Sequence, residues 1–294
     1  IFSLETAAGK PCKPSDYFKS YWVADPSTNG NDNGWDNTAN WSTSSSGSPP
    51  AQAPTNRCGQ AIFNGGSVVN PTFSSGYHIR KLTMANGYSG TIDLDGYKLL
   101  SYAAIALHDG TLLLSTGSEL QTFSDLNIYP GGTLDASNAK QLKVKGNVVI
   151  GKNPGGGVLT APGGNSITSF DVKGGFKVRS GATFNHNNGI VTFATQGTGH
   201  AINIEGNGNF YNIYKKAQKN IELYSNITVE NDLTIKGKGF IKATNKNIKV
   251  GGDWTVHTIR SFDSGTGKVI FNGSSQTISW VTGNTYKFKH LQIS

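Results

Sequence analysis

Charge is scarce in this chain: Asp, Glu, Lys and Arg together make up 15% of 294 residues, beside one methionine and two cysteines. With 38 glycines and Thr, Ser and Asn scattered throughout, this is the composition of a turn-rich all-β chain rather than a helical one. No apolar run approaches the roughly 18–20 residues that a membrane-spanning helix needs, so no transmembrane segment is expected. Cys12 and Cys58 have no paired Cys or His nearby, which excludes a four-ligand zinc site. They flank an irregular segment, where a disulfide would stabilise by about 3–4 kcal/mol through loop closure; two buried free thiols are the alternative. Ile1 in place of an initiator Met, and an end at Leu291–Ser294 inside a strand-like pattern, lead to the expectation of a processed chain or a piece of a longer one.

Catalytic patterns are missing as well. There is no Gly-x-Ser-x-Gly elbow with a helix behind it, and the glycine-rich stretch 151–157 lacks the Lys-Ser/Thr of a phosphate loop. His78, His108, His186, His200, His257 and His290 stand singly, without metal-ligand spacing. Asp93 and Asp95 alternate onto one strand face near Asp109, the closest approach to a carboxylate cluster for polysaccharide cleavage or calcium binding. Asp25, Asn31, Asp32, Asn33 and Asp36 form an oxygen-rich group without the spacing of a calcium loop. The expectation is no enzyme, with no catalytic, cofactor-binding or metal site.

What is present is repetition. At an ungapped offset of 78, Val172, Phe176, Val178, Phe184, Gly189, Val191, Phe193, Ile202 and Phe210 match Val250, Trp254, Val256, Phe262, Gly267, Val269, Phe271, Trp280 and Phe288. A shorter period runs through Asp109-Gly110-Thr111-Leu112, Gly131-Gly132-Thr133-Leu134, Gly156-Gly157-Val158-Leu159 and Gly181-Ala182-Thr183-Phe184, recurring every 22 to 25 residues. Alternating apolar residues between glycine corners mark short half-buried strands, and a period of that length is one solenoid coil. The predicted fold is all-β: a right-handed parallel β-helix over 67–294, carrying the 78-residue repeat at about 170–213 and 248–291, behind an irregular, disulfide-stapled cap over 1–66. Ile105, Leu107, Leu112, Leu114, Leu126, Ile128, Leu134, Leu142, Val144, Val148 and Ile150 should line its interior.

The cap section is rich in Trp, Asn, Pro and Ser. The stretch Trp35 to Ser42, with Asn40-Trp41-Ser42 at its end, precedes a Pro-rich turn and the strand Ala61-Ile62-Phe63. Near the other end come Gly267-Lys268-Val269-Ile270-Phe271-Asn272-Gly273 and Phe288-Lys289-His290-Leu291-Gln292-Ile293. These motifs resemble those of large secreted bacterial surface proteins with autotransporter-like or haemagglutinin-like β-helical stalks. The resemblance implies a secreted, cell-surface protein with a structural or adhesive role.

Two roles are expected for Trp22, Trp35 and Trp41: plugging the open solenoid end, which otherwise exposes core and strand edges, or stacking on carbohydrate. A second platform for polysaccharide is Tyr211 and Tyr214 with Lys215, Lys216 and Lys219. Lys236, Lys238, Lys242, Lys246 and Lys249 are read as outward residues that keep strands soluble. Residues 1–135 hold seven Lys/Arg against eleven Asp/Glu, and residues 136–294 nineteen against seven, so the halves carry about −4 and +12 and opposite ends attract. The partners expected are further copies joined through the solenoid ends, as in a filament subunit, and cell-surface or matrix polysaccharide. Nucleic acid is not expected, since the basic half has only two arginines and its aromatics are not interleaved with its lysines.

Overall fold

The computed structural model describes residues 12–25, 33–65, 67, 69–153, 155–195, 201–206, 208–257, 262–280 and 288–294. They form a β-solenoid whose coils each pass three faces in a constant order. One coil runs Lys81–Met84, Thr91–Asp93, Lys98–Ser101; a later one runs Ile221–Leu223, Ile227–Val229, Leu233–Ile235. Along the column strands pair in parallel with their counterparts one coil on, with one break on the second face, and the third face stacks ten strands from Tyr77–Ile79 to Ile278–Trp280. On the second face, strands end with Thr183–Asn185 and resume with Gly208–Phe210, bridged by Phe184 and Phe210 at 5.7 Å between ring centroids.

Register explains the interior. On the first face Leu82, Ile105, Leu126, Val148, Phe176 and Ile204 pair successively. On the third, Leu99, Leu120, Leu142, Phe170, Val191, Ile213, Leu233 and Trp254 do the same. Strands sit about 4.8 Å apart, so like side chains rest on like, and all eleven aliphatic residues expected inside have no exposed surface. The Gly-x-Thr-Leu corners stack as well: Thr111 pairs with Thr133, Thr133 with Val158 and Val158 with Thr183. Gly110 and Gly181 have φ of 77° and 80°, the left-handed region that glycine enters without steric cost.

The 78-residue match does not superpose face on face. Phe176 lies on the first face and Trp254 on the third; Phe184 lies on the second and Phe262 on the first. The offset spans three coils and two further strands. Every face uses the same apolar-x-apolar strand after a glycine corner, so the match counts strands rather than whole turns.

The first section is joined to the column by strand pairing. Phe18–Trp22 runs parallel to Gly59–Phe63, which is parallel to Lys81–Met84. Its other edge takes Trp41–Ser42 antiparallel, a reversal that stops the parallel stack. Cys12 and Cys58 are disulfide-bonded. Trp22, Trp35 and Trp41 have no exposed surface and pack with Phe63, Phe73 and Tyr77 at 4.9–6.0 Å between ring centroids. Their indole N–H groups donate to the carbonyls of Val69, Pro54 and Trp35, as buried indoles require. The tryptophans are the plug, and they have no surface to offer a carbohydrate.

Lys215 departs from the expected pattern. It pairs between Phe193 and Ile235 in the interior column of the third face and has no exposed surface. Its ammonium donates to the Ala217 carbonyl at 3.0 Å, and burial lowers its pKa from 10.5 to about 8. It therefore leaves the expected platform with Tyr211 and Tyr214.

Two predictions follow from these packings. Trp35→Ala should cost about 3–5 kcal/mol in urea unfolding, the range for truncating a buried Trp; a cost below about 1 kcal/mol would mean that the plug does not seal the end. Below pH 8 the folded protein must hold a buried ammonium that the unfolded chain solvates freely, so the penalty is full there and is relieved as pH rises from about 8 to about 10.5. Lys215→Met should then be more stable than the parent at pH 7 by about 2–3 kcal/mol and lack the parent's rise in stability across that window.

Candidate functional site

Where the chain leaves each third-face strand it turns a corner, and the corner residue lies three positions after the inward residue that begins the ladder. Tyr77, Leu99, Leu120, Leu142 and Phe170 thus project Arg80, Tyr102, Phe123, Lys145 and Lys173 in one line along the axis. Backbone N–H groups of Tyr102, Phe123, Lys145 and Lys173 donate to Ile79, Ser101, Thr122 and Val144 of the coil before, which fixes the alignment. The line continues through Ala194, Lys216, Lys236 and His257.

The upper part of this ridge is a stack. The Tyr102 and Phe123 rings lie 5.2 Å apart and within 10° of parallel, yet remain 37% and 39% exposed. The Lys145 ammonium sits 3.5 Å over the other face of Phe123, and burial lowers its pKa, helped by the charges of Lys173 and Lys143. Phe123 is thus covered by Tyr102 and Lys145 and meets solvent largely through its ring edge, whose quadrupole is positive, while Tyr102 also lines the cleft described next. Edges and ammonium groups give a ridge of one electrostatic sign. Beside its lower part, Asp171 is the exception: burial raises its pKa while Lys143, Lys173 and Lys216 oppose the rise, and its Oδ1 has no partner.

At its upper end the ridge opens into a cleft of about 290 Å³ lined by Cys12, Tyr17, Arg57, Arg80, Tyr102 and Ala103. The Arg80 guanidinium lies 3.7 Å over the Tyr17 ring, which is itself 41% exposed. Arg57, in the turn before Gly59–Phe63 and next to the disulfide, has a buried Nη2 without a hydrogen-bond partner. Among the described residues no carboxylate pairs with either arginine. Two of the chain's four arginines thus meet in one cleft.

The other candidates fall elsewhere. Tyr211 sits at a corner, stacked on His186 at 5.7 Å, and His186 approaches Glu230 at 3.2 Å. Tyr214 lies in the outward row of the third face between Thr192 and Thr234. The two tyrosines therefore stand on different surfaces and make no common platform. Asp93 accepts from the Asp95 N–H and Asp109 from the Gly87 N–H. Asp93 pairs with Leu113 while Asp109 pairs with Gly131, so the Asp93 and Asp109 carboxylates each hold a turn, and no cluster of three metal-capable side chains forms among the described residues. Asn31, Asp32 and His200 lie outside the described residues. Lys236, Lys238, Lys242, Lys246 and Lys249 all reach solvent.

Comparison with protein-family models, with curated proteins and with solved structures finds no match. Among the described residues no helix is long and apolar enough to cross a membrane.

The sequence reading missed Tyr17, Arg57, Arg80, Tyr102, Phe123 and Lys145. Their signal is the coil period itself: Arg80, Tyr102, Phe123 and Lys145 follow at steps of 22, 21 and 22 residues, visible once the inward ladder gives the phase.

Proposed function

We propose that the protein is an extracellular adhesive scaffold, a non-enzymatic solenoid that holds a polysaccharide along the corner ridge. The stacked, half-exposed Tyr102–Phe123 pair flanked by Arg80 and Lys145 carries this reading. Exposed aromatics in a row have no packing role in the core, and isolated apolar side chains would serve solubility less well than the threonines on neighbouring strands. The rest of the fold supports it: a column with in-register coils presents one group about every 4.8 Å along its axis, a line of contacts suited to a linear polymer. A disulfide belongs to oxidising compartments, and the motifs at both ends resemble those of secreted surface proteins.

The test is retention of the purified chain on a panel of insoluble and soluble polysaccharides, with Tyr102→Ser/Phe123→Ser beside the parent. The parent should be retained and the double variant should bind about tenfold or more weakly, the equivalent of at least 1.4 kcal/mol, with an unchanged circular dichroism spectrum. Retention on no polysaccharide, together with concentration-dependent growth of rods in sedimentation, would replace adhesion by the filament reading.

A further inference from the structure

The ridge does not begin on a surface but in the cleft between Arg57 and Arg80, two cations with no carboxylate partner among the described residues, and one Arg57 nitrogen is buried without a hydrogen bond. A guanidinium nitrogen removed from water without a partner costs free energy that the fold does not recover. Arg57 is held there by its neighbours in the chain: Cys58 is tied to Cys12, and the Cys58 carbonyl accepts from the Phe18 N–H. The second guanidinium is positioned independently, by the Tyr17 ring beneath Arg80. Two planar guanidinium groups without a carboxylate partner among the described residues, in a cleft that Tyr17 and Tyr102 also line, match an oxyanion attached to something flat and partly apolar.

Resting on the adhesive reading above, we infer that this cleft is the anchoring subsite for a carboxylate or sulfate on a sugar ring, and that the polysaccharide is acidic, running from Arg57 and Arg80 toward Lys145 and Lys173. The cleft, at about 290 Å³, is larger than a bare inorganic ion requires. Ring edges and ammonium groups on the ridge both attract anionic and hydroxyl oxygens. A single-stranded nucleic acid, whose bases need open ring faces in succession, would find at most the cleft side of Tyr102, because Phe123 lies between Tyr102 and Lys145.

Calorimetric titration of the full chain tests this with four probes: an oligogalacturonate, the same oligomer fully methyl-esterified, a heparin-derived sulfated oligosaccharide and a single-stranded DNA oligomer. In parallel, free galacturonate is titrated while the side-chain N–H signals of Arg57 and Arg80 are followed by NMR. The expected result is binding of one or both acidic oligosaccharides, at least tenfold weaker binding of the ester, and a 10- to 100-fold loss in Arg57→Gln, about the effect of one or two charge-assisted hydrogen bonds. The carboxylated and sulfated arms identify which oxyanion is preferred. Arg57→Lys keeps the charge without the fork and should bind between the two; it also separates loss of the site from loss of fold, as does the thermal midpoint of each variant. Equal binding of acidic oligomers by parent and Arg57→Gln would leave adhesion standing and overturn the subsite. Shifts of the Arg57 signals by galacturonate with no oligosaccharide retained would keep the subsite and overturn adhesion. Equal affinity for the ester, or tighter binding of DNA, would overturn the acidic-polysaccharide assignment.

Discussion

Everything in this molecule depends on one constraint, the in-register parallel stacking of successive coils. Once Leu82 sits against Ile105 and Ile105 against Leu126, every other position in the coil is also placed over its counterpart, because side chains alternate with a period of two and strands lie about 4.8 Å apart. The hydrophobic effect selects only the inward columns, yet the outward ones are aligned by the same backbone bonds. The corner ridge is thus a by-product of core packing: Arg80, Tyr102, Phe123 and Lys145 are collinear because the residues three places earlier are buried.

The same constraint creates a difficulty at the Phe18–Trp22 edge, beyond which no parallel coil is found among the described residues. The chain meets it with an antiparallel strand, Trp41–Ser42, and three tryptophans whose indoles are hydrogen-bonded inside. The disulfide beside this plug also sets the position of Arg57, so the device that closes the end shapes the cleft. A charged nitrogen without a partner thus sits next to a cross-link, and in the proposed reading stability and binding share residues there.

Much of the architecture was legible in the residues. The recurring Gly-x-Thr-Leu corner announced the coil, and the alternating aliphatic residues from Ile105 to Ile150 announced the interior. Cys12 and Cys58 announced a staple around an irregular section. Surface arrangement was harder to see, since outward positions obey no hydrophobic pattern and acquire meaning only after register is known. Tyr211 and Tyr214 looked like neighbours along the chain, but a corner separates them. Lys215 looked like part of a charged surface, but strand parity places it with Ile213 inside. Arg57 and Arg80 lie 23 residues apart in sequence, about one turn of the column, and nothing in either residue's neighbours marks them as partners.

The internal match at an offset of 78 acts like a screw thread cut out of step with its shaft. If the segments arose by copying, a surface feature on one copy reappears a third of a turn around the column on the next, never directly above itself. The counterpart of Lys173 is Gly251, on a different flank, so the corner line could be rewritten residue by residue without an echo elsewhere. A repeat out of step with the coils in this way lets a uniform interior carry a single, unduplicated line of surface residues.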